Sequence, residues 1–130
     1  MIRFAGLYPT ESALDRGREL LTQFVAFLDD DTASKVSIVF AEAMANAIQA
    51  NRRNNGARII IILVLGVTTV RLLIGDTGSG YEPLPLQDSV FDLWAEHGRG
   101  IRLMRQLSDD LVFKKSKRGT MVSASWKRKE

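Results

Sequence analysis

Two hydrophobic periods meet at one polar break, Asn51-Arg52-Arg53-Asn54-Asn55-Gly56, and that meeting restricts the folds open to this chain more than any other feature. Before the break, apolar residues recur every three or four positions. From about Glu11 to Leu28 they are Ala13, Leu14, Gly17, Leu20, Leu21, Phe24, Val25, Phe27 and Leu28, and the other face carries Asp15, Arg16, Arg18 and Glu19. This is the spacing of an amphipathic helix. Asp29-Asp30-Asp31-Thr32 stops it and offers a cap for a second helix over about 33–51, with Val36, Val39, Phe40, Ala43, Met44, Ala47 and Ile48 on its apolar stripe.

After the break the pattern changes to runs rich in β-branched residues, 57–65 and 70–75, joined by a short turn at Gly66. A first strand is expected over 2–7. A hairpin is expected from Leu111–Lys115 and Met121–Lys127 around Lys117-Arg118-Gly119. Between the strand pairs, 81–97 has no regular period, holds Pro83 and Pro85, and ends in a cluster of Val90, Phe91, Leu93 and Trp94. Gly98 and Gly100 then open a third helix whose buried stripe is Ile101, Met104 and Leu107. Neighbouring hairpins with intervening helices predict an α+β fold: a two-layer α/β sandwich, its mixed, mainly antiparallel sheet covered by helices on one face. Phe24, Phe27, Phe40, Met44 and Met104 are expected in its core.

One domain, 1–130, accounts for a chain of this length, which can bury about two-thirds of its unfolded surface. With no cysteine, disulfide frameworks and thiolate chemistry are excluded. The longest apolar run, Ile59–Val67, falls short of the roughly 20 residues of a membrane span, and no secretory leader is read at the N-terminus. A cytoplasmic protein that does not bind membranes is expected. Basic residues cluster late, at Lys114, Lys115, Lys117, Arg118, Lys127, Arg128 and Lys129, but a net charge of +3 is too small for a dedicated nucleic-acid face.

Three groups of residues have chemical potential. Glu42 and Asn46, four apart, share a helix face among small neighbours. They suit a general base and an oxygen ligand for a hard cation, or an ordinary solvated stripe. Asp76 ends an apolar strand and leads into Gly78 and Gly80, so it either accepts a hydrogen bond from an exocyclic amine or makes a common turn. Gly98-Arg99-Gly100, eighteen residues beyond Gly80, offers bare amides and a helix N-terminus to an anion. The acid precedes the glycines and a third glycine is missing, against a Rossmann fingerprint, and no Gly-Lys-Ser/Thr of a P-loop occurs. The single histidine, His97, cannot build a multi-histidine metal site, and no Gly-x-Ser-x-Gly elbow supports a hydrolase triad.

Taken in order, Glu42-x-x-x-Asn46-Ala47, Asp76-x-Gly78-x-Gly80, Gly98-x-Gly100 and Gly119-Thr120 resemble the motifs of the gyrase, heat-shock chaperone, histidine kinase and MutL superfamily of ATP-binding domains. Within it, Gly100-Ile101 followed by Leu103-Met104 is most similar to the anti-sigma-factor serine kinases. The resemblance implies a Bergerat-type fold, with ATP and Mg²⁺ as cofactors. It implies that Asn46 holds Mg²⁺ and that Asp76, with Gly78 and Gly80, receives adenine. Gly98, Arg99, Gly100 and Ile101 would line the phosphates at the end of a lid over 81–97, Thr120 would support the adenine pocket, and Glu42 would act on the acceptor hydroxyl. It further implies a protein serine kinase that phosphorylates a STAS-type anti-anti-sigma protein and, in the alternative partnership, sequesters a sigma factor, and it is compatible with a homodimer. The alternatives are a nucleotide-gated binding module without kinase activity and the detached catalytic half of a histidine kinase. Glu42 weighs against the first. The lack of a dimerising, phospho-accepting helix ahead of the motifs weighs against the second. Many relatives carry a histidine just after the Glu/Asn helix, where this chain has Ala50 and Asn51.

Overall fold

The structure is a computed structural model that describes residues 1–51, 57–77, 100–116 and 119–128. Gly78, Gly80, the expected lid, His97, Gly98 and Arg99 lie outside those residues.

The chain runs β1 (Ile2–Leu7), α1 (Glu11–Val25), α2 (Asp30–Asn51), β2 (Ile59–Leu65), β3 (Thr69–Asp76), a helical segment over 100–107 that we call α3, then β4 (Asp110–Ser116) and β5 (Gly119–Lys127). The strands form one five-stranded sheet in the order β1-β2-β3-β5-β4. Every pairing among the described residues is antiparallel, in keeping with the mainly antiparallel sheet expected. Registers such as Ile61↔Ile74↔Val122 and Leu63↔Leu72↔Ala124↔Leu111 stack the buried positions of four strands into rows. Strand side chains alternate between faces, so these rows all lie on one side of the sheet. That side meets the helices. Phe24 of α1, Val36, Phe40 and Met44 of α2 and Ile101 and Met104 of α3 join the strand residues in a single apolar cluster. The arrangement is a two-layer α+β sandwich.

Local chemistry explains the helix boundaries. The Asp29 carboxylate accepts from Thr32 N–H at 3.0 Å, so α2 starts at Asp30, three residues before the periodicity suggests. In α1 the last apolar residues overrun the helix: Phe27 N–H and Leu28 N–H donate to Phe24 and Val25 carbonyls in a tightened turn. Leu28 still packs on the core, but Phe27 is 59% exposed, which corrects its expected place there. The turn swings it outward after helical spacing has ended. Gly17 lets α1 lie close to α2, since a methyl there would come within 2.9 Å of the Phe40 ring. Among the described residues, no helix is long and apolar enough to cross a membrane.

Candidate functional site

Asp76 is the last residue of β3 and lies in register with Ile59, on the helix-facing side of the sheet. Its surroundings come from the start of β5, 44 residues away in sequence. Thr120 Oγ1 donates to Asp76 Oδ2 at 2.5 Å, and Thr120 N–H points at Oδ1 from a weaker 3.4 Å. A carboxylate with one strong donor on one oxygen and a long contact on the other keeps lone pairs for a further donor.

Gly119 makes this approach feasible. Its φ of +131° disfavours side chains, and a methyl at that position would collide with the Asp76 backbone carbonyl and carboxylate. Sequence reasoning placed Gly119 in a motif but not in the site. A glycine immediately before the threonine was the available signal. Thr77 fixes the other flank: its N–H donates to Arg58 O at 3.0 Å, and its hydroxyl accepts from Arg58 N–H at 2.9 Å. Arg58 is itself held by Tyr8, with its guanidinium 4.1 Å from the ring centroid and Nη2 donating to the phenol at 2.8 Å. The chain therefore leaves β3 from an anchored position.

Glu42 and Asn46 lie one turn apart on α2, both half-buried, as the four-residue spacing requires. The structure brings them against Gly100 at the start of the described part of α3. A methyl at Gly100 would stand 2.8 Å from Glu42 Oε2 and 3.8 Å from Asn46 Nδ2. Asn46 Nδ2 is buried and has no hydrogen-bond partner among the described residues. Such an amide usually marks a place where something else supplies the partner. Ile101 faces the core at 4% exposure. Asn51 is 2% exposed and turns its amide back onto Ala47 O at 2.8 Å. It serves the end of α2.

Of the ten residues expected to form the site, the structure brings Asp76 together with Thr120, and Glu42 and Asn46 together with Gly100. Gly78, Gly80, Gly98 and Arg99 belong to segments it does not describe.

Residues 9–126 match the family model of the histidine kinase-like ATPase domain. The crystal structure of the RsbU and RsbW domains of Rv1364c from Mycobacterium tuberculosis is similar over 100% of this chain, at a TM-score of 0.74 and 15% identity. The chain spans about a third, 33%, of that protein's crystallised chain. At this identity the likeness establishes the fold, which is the one the motifs implied. No curated protein matches the sequence.

Proposed function

Since the chain belongs to the histidine kinase-like ATPase domain family, which makes it an ATP-binding domain, we propose that it is a protein serine kinase and anti-sigma factor acting on a STAS-type antagonist. The observation that carries this reading is the Glu42 carboxylate beside Asn46 Nδ2, a buried donor with no partner among the described residues, both close to Gly100 of α3.

The residues present fit a magnesium nucleotide. Among the described residues, no group of three or more His, Cys, Asp or Glu side chains comes together, so a cation at Asn46 would bring most of its own oxygen ligands. Mg²⁺ does this when it binds with phosphates and water. Asn46 would hold the ion through its amide oxygen once the amide is turned over. Asp76, oriented by Thr120, would accept from the exocyclic amine of adenine. Bound ATP with Mg²⁺ supplies the phosphoryl group and screens its charge.

Glu42 would take the proton of the acceptor serine hydroxyl, whose oxygen would receive the phosphoryl group that ATP supplies, with ADP as the leaving group. Positioning dominates such a transfer, so a rigid α2 stripe suits the task better than a loop. A sigma factor is the second proposed partner, bound when the antagonist is phosphorylated.

The test is incubation with labelled ATP, Mg²⁺ and the STAS-type protein encoded nearest to it, with phosphoserine located by mass spectrometry. Transfer to one serine, abolished when that serine is changed to alanine, is expected. Nucleotide binding without transfer would favour the gated-binding module. Absence of nucleotide binding would overturn both.

A further inference from the structure

Gly100 is an unexpected residue for a helix. Glycine is the poorest helix former apart from proline, and nothing in the backbone here requires it. Among the described glycines only Gly119 has a positive φ. The need at Gly100 is space. A methyl there would sit 2.8 Å from Glu42 Oε2 and 3.8 Å from Glu42 Cδ, and the crowded atom is the end of a flexible side chain. Any side chain at position 100 would therefore move the Glu42 carboxylate and leave the backbone where it is.

We propose that Gly100 is a positioning residue for Glu42: the missing side chain sets where the carboxylate of α2 stands relative to α3, so that the base and the helix meant to meet phosphate keep one fixed spacing. This rests on the reading of Glu42 as the base. It assigns Gly100 a role distinct from the backbone phosphate contact implied by the family resemblance. The two roles lead to different outcomes. A residue needed for backbone access to phosphate affects nucleotide affinity, whereas one that acts through Glu42 affects the transfer step alone.

Gly100→Ala should fold as well as the parent or better, because alanine favours the helix. Transfer to the serine should slow about 10- to 100-fold, in keeping with the sensitivity of positioned catalysis to displacements near 1 Å. ATP affinity, measured by titration calorimetry, should stay within about threefold. The decisive comparison uses Glu42→Gln as background. If Gly100 works through the carboxylate, adding Gly100→Ala to Glu42→Gln should produce no further loss.

A readout independent of activity is the ¹³C shift of the Glu42 side-chain carboxyl, which should differ between the parent and Gly100→Ala. Equal losses in affinity and transfer would overturn the proposal in favour of direct phosphate contact, as would additive effects in the double variant. An unmoved carboxyl resonance would overturn it even if the parent proved to have no kinase activity. Loss of the kinase reading alone would show as absent transfer with the carboxyl shift still present.

Discussion

The two ends of the candidate site are built differently. At the Asp76 end the carboxylate already has donors within the chain, from the Thr120 hydroxyl and backbone, and Gly119 and Thr77 hold the flanks. At the Asn46 end a buried amide nitrogen has no partner among the described residues, and the Glu42 carboxylate lies against a glycine. The first end is assembled before any ligand arrives. The second keeps polar capacity that no described residue uses. On the proposed reading, the Asp76 end would supply a preformed binding contact and the Asn46 end the interactions made only with substrate bound.

The largest effect should come from the reserved end. Glu42→Gln is expected to slow transfer to serine by about 10²- to 10⁴-fold, the usual contribution of a general base. ATP affinity should remain within a few-fold. Single-turnover phosphorylation alongside calorimetry checks both. A matching loss of affinity would show that Glu42 is part of the binding contact and would erase the division between the ends.

Asp76→Asn should act at the preformed end. Loss of a charge-assisted hydrogen bond is worth about 1.5 to 3 kcal/mol, or roughly 10- to 150-fold in ATP affinity. The amide would also present a donor toward Thr120, disturbing the short contact at 2.5 Å. Unchanged affinity in a folded variant would remove Asp76 from the site and leave its contact with Thr120 a purely structural one.

A smaller effect is expected for Thr120→Val, which keeps shape and removes the hydroxyl that Asp76 accepts. Without nucleotide the variant should lose about 1 kcal/mol, a fall of roughly 3–5 °C in Tm by calorimetry. That loss distinguishes an end assembled in the free protein from one assembled by ligand. No change would mean that the Thr120 contact carries no stability before ATP binds.

These contrasts were only partly legible in the sequence. Periodicity is a local signal, so it located α1, α2 and all five strands to within a few residues. It erred where another force set the boundary, as at Asp29, whose side chain caps α2, and at Phe27, which follows the last true turn of α1. The Glu42–Asn46 stripe and the acid at the end of β3 were readable because each sits within one element. The pairing of Asp76 with Thr120 and the seating of Glu42 on Gly100 were not readable from local pattern, since they depend on β3 lying beside β5 and on where α3 packs. The ordered motifs pointed to those partners only through the family they resemble.

The smallest expected effect on the nucleotide-free protein most directly tests the comparison. Asn46→Leu replaces the amide with an apolar group of nearly the same shape. A polar atom buried without a partner has already lost its hydration, so its removal should be neutral or slightly stabilising. The nucleotide-free Tm should stay level or rise by a degree or two. The response to ligand should then separate the variant from its parent. A ligand at about 100 times its Kd stabilises a native protein by about 2.7 kcal/mol, so saturating Mg-ATP should raise the parent Tm clearly. The variant lacks an oxygen for the cation and should show much less of that rise, while Thr120→Val, weakened at rest, should still respond. A nucleotide-free loss in Asn46→Leu as large as that of Thr120→Val would mean that the amide is already satisfied within the chain. The Asn46 end would then be as preformed as the Asp76 end, and its capacity for a cation would need another source.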